Sequence, residues 1–373
     1  MGAPSETYVD PSIAANSGTG TIGDPYGDLQ YALDTMTRDS TNGDRINIKS
    51  GTAEVLTGSI DLTSYGTTSF TAPIIFSGYT SAAGDGGIGE IDGNATYSVV
   101  NNNAYENMFF INLRMGNCGS SYVLFLDRFV GAYNCEIYGT SGDGFRATGG
   151  YTDLIRCWIH NIGGRGVYST TSHYRIIGCY FSNDGGNSFT TAVEQSSVNS
   201  VTVVNNFFNL DSTSEGIGVN NWGVATVLGN SLLTSGTGRA IFSNSLGSGP
   251  FINNLIEGFS EGIDTLAAGG SNGVLPFALQ NAFYDCTTDI SSDREIVLSL
   301  DNESLVSSPF KKTGSLPTDF TSATFWDDVY AYFAPVDIGN VYSGFPAGAN
   351  QTKGAVGQPV YSPTYSLHPL AYN

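Results

Sequence analysis

Apolar residues recur through the middle of this chain in a long, regular beat. Eight triplets mark it: Ile111-Asn112-Leu113, Cys135-Glu136-Ile137, Cys157-Trp158-Ile159, Cys179-Tyr180-Phe181, Asn206-Phe207-Phe208, Asn230-Ser231-Leu232, Asn254-Leu255-Ile256 and Asn281-Ala282-Phe283. They lie 24, 22, 22, 27, 24, 24 and 27 residues apart. The third position is always Leu, Ile or Phe, the first is Ile, Cys or Asn, and the middle varies freely. Alternation with period two marks a strand with one buried face, so positions one and three point inward. A small residue and an apolar one follow each triplet, as in Gly166-Val167 and Ala240-Ile241. An apolar run precedes it, as in Tyr174–Ile177 and Val201–Val204. Three short strands per coil of 22–27 residues, with no helical period between them, predict an all-β, single-stranded parallel β-helix.

In such a stack, like residues sit one above another at the strand spacing. Three Cys would fill the narrow interior as small apolar groups. The Asn amides would hydrogen-bond to one another along the axis. The chain divides into an N-terminal strand and capping helix (1–43), the solenoid (44–300) and a C-terminal cap or extended tail (301–373). The helix is expected from Tyr26 to Thr37, with Leu29, Ala32, Leu33 and Met36 on its apolar face. A cap is needed because a bare solenoid end is an open sheet edge. Trp326, Tyr330, Tyr332, Phe333 and Phe345 lie in the tail, which shows no clear period.

Composition narrows the partners. The formal net charge is −20, and an acidic surface repels phosphate backbones, so nucleic acid is not an expected partner. No apolar run is long enough to cross a membrane. The Cys count is odd and three Cys fall in the inward file, which argues against a disulfide framework. CxxC and HExxH spacings are absent, so no metal and no cofactor is expected. The Gly-rich loop 84–89 is a turn without the calcium-binding repeat. Residues 1–6 lack the basic and apolar regions of a secretory leader. The expectation is a trimmed mature form, or a protein that leaves its cell within a virus particle.

Tyr8-Val9-Asp10, Leu29-Gln30-Tyr31-Ala32-Leu33 and Gly43-Asp44-Arg45-Ile46 at the start resemble right-handed parallel β-helix proteins of the pectate-lyase-like superfamily. Ser308-Pro309-Phe310 and Thr352-Lys353-Gly354 at the end resemble the closing segments of bacterial and phage members. The resemblance implies the fold and its right hand; the superfamily hosts lyases, hydrolases, tailspikes and inert scaffolds alike. Its catalytic signatures are incomplete here. Trp158-Ile159-His160 lacks the acid of the pectate-lyase run, and Tyr174-Arg175-Ile176-Ile177 lacks the Lys of the polygalacturonase run.

The middle triplet positions place Glu136, Trp158, Tyr180 and Phe207 in one outward file, with Arg114, Tyr138, Arg156 and His160 beside it. Three readings of the aromatic file stay open: a subunit contact, a sugar platform, or a layer covered by neighbouring loops. Trp158, Tyr180, Phe207, Tyr138 and Arg114 are the expected binding or interface residues. Glu136, Arg156 and His160 are the catalytic candidates, a base and a charge clamp suited to uronate elimination. Asp143 and Asp184 are the possible acidic partners. The leading expectation is a non-enzymatic decoration, spike or fibre subunit on a virion surface, a homotrimer contacting other virion proteins. The alternatives are a tailspike-like depolymerase or lyase acting on host surface polysaccharide, and an extracellular carbohydrate-binding or adhesive solenoid.

Overall fold

The computed structural model describes residues 2–63, 72–101, 106–170, 173–196, 200–220, 224–244, 249–265, 277–292, 298–300 and 302–334. Among the described residues, three sheets of 12, 11 and 9 strands lie along the stack. One coil shows the plan. Val130–Tyr133 lies in the first sheet, Glu136–Thr140 in the second and Asp143–Ala147 in the third, and Tyr151–Ile155 then returns to the first. Each strand pairs in parallel with its counterpart one coil on, as Ile137 with Ile159 and Phe145 with Val167. The expected parallel β-helix is the observed fold. Pairing starts at Ser5–Val9 and ends at Glu303–Ser304, so the stack extends on both sides of the 44–300 span.

The corner between the first and second sheets needs one residue in the left-handed region. Asn134 (φ 51°), Gly178 (φ 62°), Asn205 (φ 54°) and Gly229 (φ 64°) take it, the residue types that accept this conformation most readily. Arg156 (φ 53°) is an exception. Asn112 (φ 53°) occupies the same corner, which corrects the first triplet. Arg114 pairs with Glu136 and Met115 with Ile137, so the equivalent triplet is Leu113-Arg114-Met115. A two-residue slip preserves the period-two pattern, so the alternation alone could not reject it. It also moves Phe110 inside, where it is fully buried, and Ile111 outside on the first sheet.

Cys135, Cys157 and Cys179 are free, fully buried thiols in one inward file. Burial pushes the Cys135 and Cys179 thiols well above the ordinary range, so these groups stay neutral. Asn206, Asn230, Asn254 and Asn281 continue the file. Asn206 Nδ2 donates to Asn230 Oδ1 at 3.0 Å, Asn230 to Asn254 at 3.0 Å and Asn254 to Asn281 at 2.9 Å. Asn302 adds a fifth rung at 2.9 Å. Phe181 and Phe208 stack inside with centroids 4.8 Å apart.

Helix α1 spans Leu29–Thr35, shorter than 26–37, because Asp28 caps it by accepting from Tyr31 N at 2.6 Å. Its Leu29, Ala32 and Leu33 enter the core at the N-terminal end. Glu54 accepts a 3.2 Å bond from Leu29 N. Burial pushes its pKa up to about 7, from the usual 4.5. A carboxyl raised in the folded state carries no penalty below its unfolded pKa. The destabilisation builds from that unfolded value upward and levels off once pH has passed the folded one. Glu54→Gln is expected to stabilise the protein at pH 8 by about 2–3 kcal/mol and to have little effect at pH 4. Thermal unfolding at the two pH values checks this.

The C-terminal region, where a cap or an extended tail without clear period was expected, contains a helix: residues 325–333 form α2 (Phe325–Phe333). Phe325, Val329 and Phe333 fall at i, i+4 and i+8 and make one buried stripe. Asp327 and Asp328 sit in its first turn, where acidic groups suit the helix dipole. Phe345 lies outside the described residues.

Candidate functional site

The outward face of the second sheet changes character along its length. Glu90, Arg114, Glu136, Trp158, Tyr180 and Phe207 follow one another in register, one per coil. The first three are charged and the next three aromatic. Two residues further along the strands, Tyr138, His160, Ser182 and Asn209 form a parallel file.

The aromatic half is closed. Trp158, Tyr180 and Phe207 are each 1% exposed. Phe310, Phe320 and the apolar side of α2 lie over them. Phe325 is 4.9 Å from Trp158, and Phe333 is 5.3 Å from Phe207, between ring centroids. The indole N–H of Trp158 donates to Ser182 Oγ at 2.8 Å. These three residues therefore do not form the expected open interface or sugar platform. Of the readings, a covered layer is what the structure has, and the cover comes from the chain's own C-terminal segment rather than from neighbouring loops. The apolar area that would bind a partner is spent inside the protein.

The charged half stays partly open at the edge of that cover. His160 Nε2 lies 2.9 Å from Glu136 Oε1, and its Nδ1 lies 3.0 Å from Asp184 Oδ1, out of line for a hydrogen bond. The imidazole stacks on Trp158 at 3.7 Å. Arg114 Nε donates to Glu136 at 2.5 Å, and its Nη1 lies 3.4 Å from Glu90. Tyr138 packs beneath the Arg114 guanidinium at 5.5 Å, and its hydroxyl donates to Glu90 at 3.2 Å. Glu136 is 2% exposed, so it anchors Arg114 and His160 from below. The side chains of Arg114, Glu90 and Asp184 are about a third exposed (31%, 28% and 27%).

Electrostatics biases the protonation states. Burial works against the His160 imidazolium, but Asp184 and Glu136 outweigh it and hold the pKa above the ordinary 6.5. Burial also opposes the Arg114 cation, and Glu136 more than offsets it. Burial, with Glu90 alongside, pushes the Tyr138 phenol up, so it remains a neutral donor. A raised His pKa gives stability that is complete below pH 6.5 and lost as pH rises through the folded value. His160→Gln is expected to flatten the fall in unfolding free energy above pH 6.5. Urea titrations across that range check it.

Of the catalytic candidates, the structure brings Glu136 and His160 together and leaves Arg156 out. Arg156 sits at the left-handed corner with its guanidinium 5.4 Å over Trp326 of α2. Arg114 occupies the position at Glu136 that the spacing assigned to Arg156. Asp184 joins His160, whereas Asp143 forms a bidentate pair with Arg165 in the third sheet, both bonds 2.9 Å. Glu90 was missed because it lies in the less regular early coils. Asp85, in the Gly-rich loop, spends its carboxylate on the N–H groups of Thr80, Ser81, Ala82 and Gly87, so it ties the turn together. Among the described residues, no three His, Cys, Asp or Glu side chains are grouped to hold a metal ion. No described helix is long and apolar enough to cross a membrane.

The chain is thus an all-β, right-handed parallel β-helix, and solved structures share that shape. The pectate lyase Pel9A superposes with a TM-score of 0.55 at 14% identity, covering 95% of this chain and 97% of that one. A rhamnogalacturonan lyase gives 0.47 at 11% identity, covering 84% and 91%. A lacto-N-biosidase from Eubacterium ramulus gives 0.47 at 10% identity, covering 80% and 67%. No family model and no curated protein matches the sequence. The fold is similar to that of pectate-lyase-like proteins.

Proposed function

We propose that this protein is a polysaccharide-active β-helix that acts on uronate-containing glycans at the Glu90–Arg114–Glu136–His160–Asp184 patch. The observation that carries the reading is the pair of cations, Arg114 and His160, held at a partly open face by one buried carboxylate in a chain of net charge −20. Such a pair suits a uronate carboxylate, which Arg114 would neutralise. Neutralisation acidifies the neighbouring C5–H bond. Asp184 would take that proton, the C4–O4 bond would break as the C4–C5 double bond forms, and the His160 imidazolium would protonate the departing O4. Glu136 is a positioning residue for both cations. A protein of this kind meets its glycan outside the cell or on a particle surface.

A second reading, an inert scaffold, is favoured by one observation: Arg114 and His160 already meet carboxylates within the patch. Incubation with a panel of acidic and neutral polysaccharides separates the two. The first expects an unsaturated uronate chromophore in the products, reduced at least tenfold by Arg114→Ala and by His160→Gln. No product from any uronate polymer, with the variants folded and indistinguishable from the parent, leaves the scaffold.

A further inference from the structure

The third sheet holds an arginine with no carboxylate partner. Arg45, Arg114, Arg128, Arg165, Arg175 and Arg239 each meet a carboxylate. Arg146 meets none among the described residues. Arg156 also lacks one, but its guanidinium faces Trp326 of α2. Arg146 stands on the outward face, in register between Phe125 and Tyr168 of the adjoining coils. Its guanidinium lies over the rings of Tyr122, Phe125 and Tyr168, 5.3, 5.2 and 5.1 Å from their centroids. All four residues are partly exposed.

Cation–π packing accounts for the cage of rings. It does not use the donors. Arg146 Nε is buried with no acceptor, and such an orphan in a native structure calls for a cause. Nη1 donates to the Tyr122 hydroxyl oxygen at 2.8 Å. That oxygen is the acceptor, so the Tyr122 O–H proton is free to donate outward. Nη2 has no protein partner among the described residues. The carboxylates beside the cage turn to another cation. Asp143 holds Arg165 through two 2.9 Å bonds, and Glu194, one rung beyond Tyr168, lies 4.0 Å from Arg165. A guanidinium with a spare N–H next to a spare O–H is complementary to an oxyanion. The partly exposed rings alongside suit the apolar face of a sugar.

We infer that Tyr122, Phe125, Arg146 and Tyr168 form a separate anion site, which takes the carboxylate or sulfate group of an acidic sugar. The patch around Arg114 and His160 is built on the second sheet, so the two proposals stand or fall separately. Isothermal titration calorimetry on the full chain tests the inference, with a galacturonate trisaccharide, a sulfated disaccharide, their neutral counterparts and inorganic sulfate as probes. The expected result is a site that binds an acidic sugar and no neutral one, and that survives Arg114→Ala. Arg146→Gln is expected to weaken it at least tenfold. Tyr122→Phe, which keeps the ring and removes the O–H, is expected to weaken it severalfold while circular dichroism stays unchanged. Inorganic sulfate binding as tightly as the sugars would overturn the sugar assignment. Absence of binding overturns the proposal. So does binding that Arg146→Gln and Tyr122→Phe both leave intact, and so does binding that Arg114→Ala abolishes, which would place the anion on the second sheet.

Discussion

Asn254→Ala is expected to cost about 4 kcal/mol, because it leaves two buried donors of the next rung without an acceptor. Asn254 Oδ1 accepts from both Asn230 N and Asn230 Nδ2 at 3.0 Å. The same amide donates to Val227 O at 3.2 Å and to Asn281 Oδ1 at 2.9 Å. All of these groups lie in the interior, out of reach of water. An unpaired buried donor costs about 1–3 kcal/mol, and the lost side-chain volume adds a cavity. Asn254→Leu fills the volume but does not restore the acceptor, so it is expected to remain close to Asn254→Ala. Asn302→Ala, at the part-buried last rung, is expected to cost about 2 kcal/mol or less, since water can replace the lost acceptor. Urea unfolding followed by far-UV circular dichroism ranks the three. Equal losses at Asn254 and Asn302 would show that the ladder is not acting as a buried network.

Phe333→Ala is expected to cost about 3–5 kcal/mol, the usual range for deleting a buried aromatic ring. Phe333 is fully buried and lies against Tyr180, Phe207 and Phe310 at 6.2, 5.3 and 5.4 Å. Here the loss should be local. Helix α2 shares its contacts with the outside of the second sheet, not with the interior ladder. The covering segment can therefore open as its own cooperative unit. Amide exchange in residues 325–333 should accelerate strongly, while amides of the Asn206–Asn281 coils keep their protection. Uniform acceleration throughout would mean that the cover and the coils unfold together.

The sequence made the coils legible for a physical reason. A solenoid repeats the same burial every turn, so the inward file of Cys and Asn and the outward file of Glu136, Trp158, Tyr180 and Phe207 could be read from spacing. The register of the first triplet could not, because a shift of two residues leaves the alternation unchanged. The Asn or Gly just before most triplets, taken as an outward flanking residue, was the missing marker: it fixes the corner. The cover on the aromatic file was illegible for another reason. Phe325, Val329 and Phe333 carry a helical stripe, but it is brief and flanked by Pro- and Gly-rich chain. What it lies against is set by three-dimensional return, not by local pattern. The same holds for Arg114 at Glu136 and Asp184 at His160: partners 22 and 24 residues apart meet only once the coil length is fixed.

The Asn ladder also makes the length of the molecule adjustable. Asn206, Asn230 and Asn254 are separated by equal steps of 24 residues, and the middle rung accepts on one side what it donates on the other. A duplicated 24-residue unit inserted there would present the same groups at both of its ends, so the stack could grow by whole coils without a mismatched rung. The limit on growth lies outside the coils. Lys312 is tied to Glu257 at 2.6 Å, and Trp326 reaches Arg156 several coils away. The covering strap thus spans a fixed number of coils and acts as a ruler, fitted to the present count and stretched by any insertion beneath it.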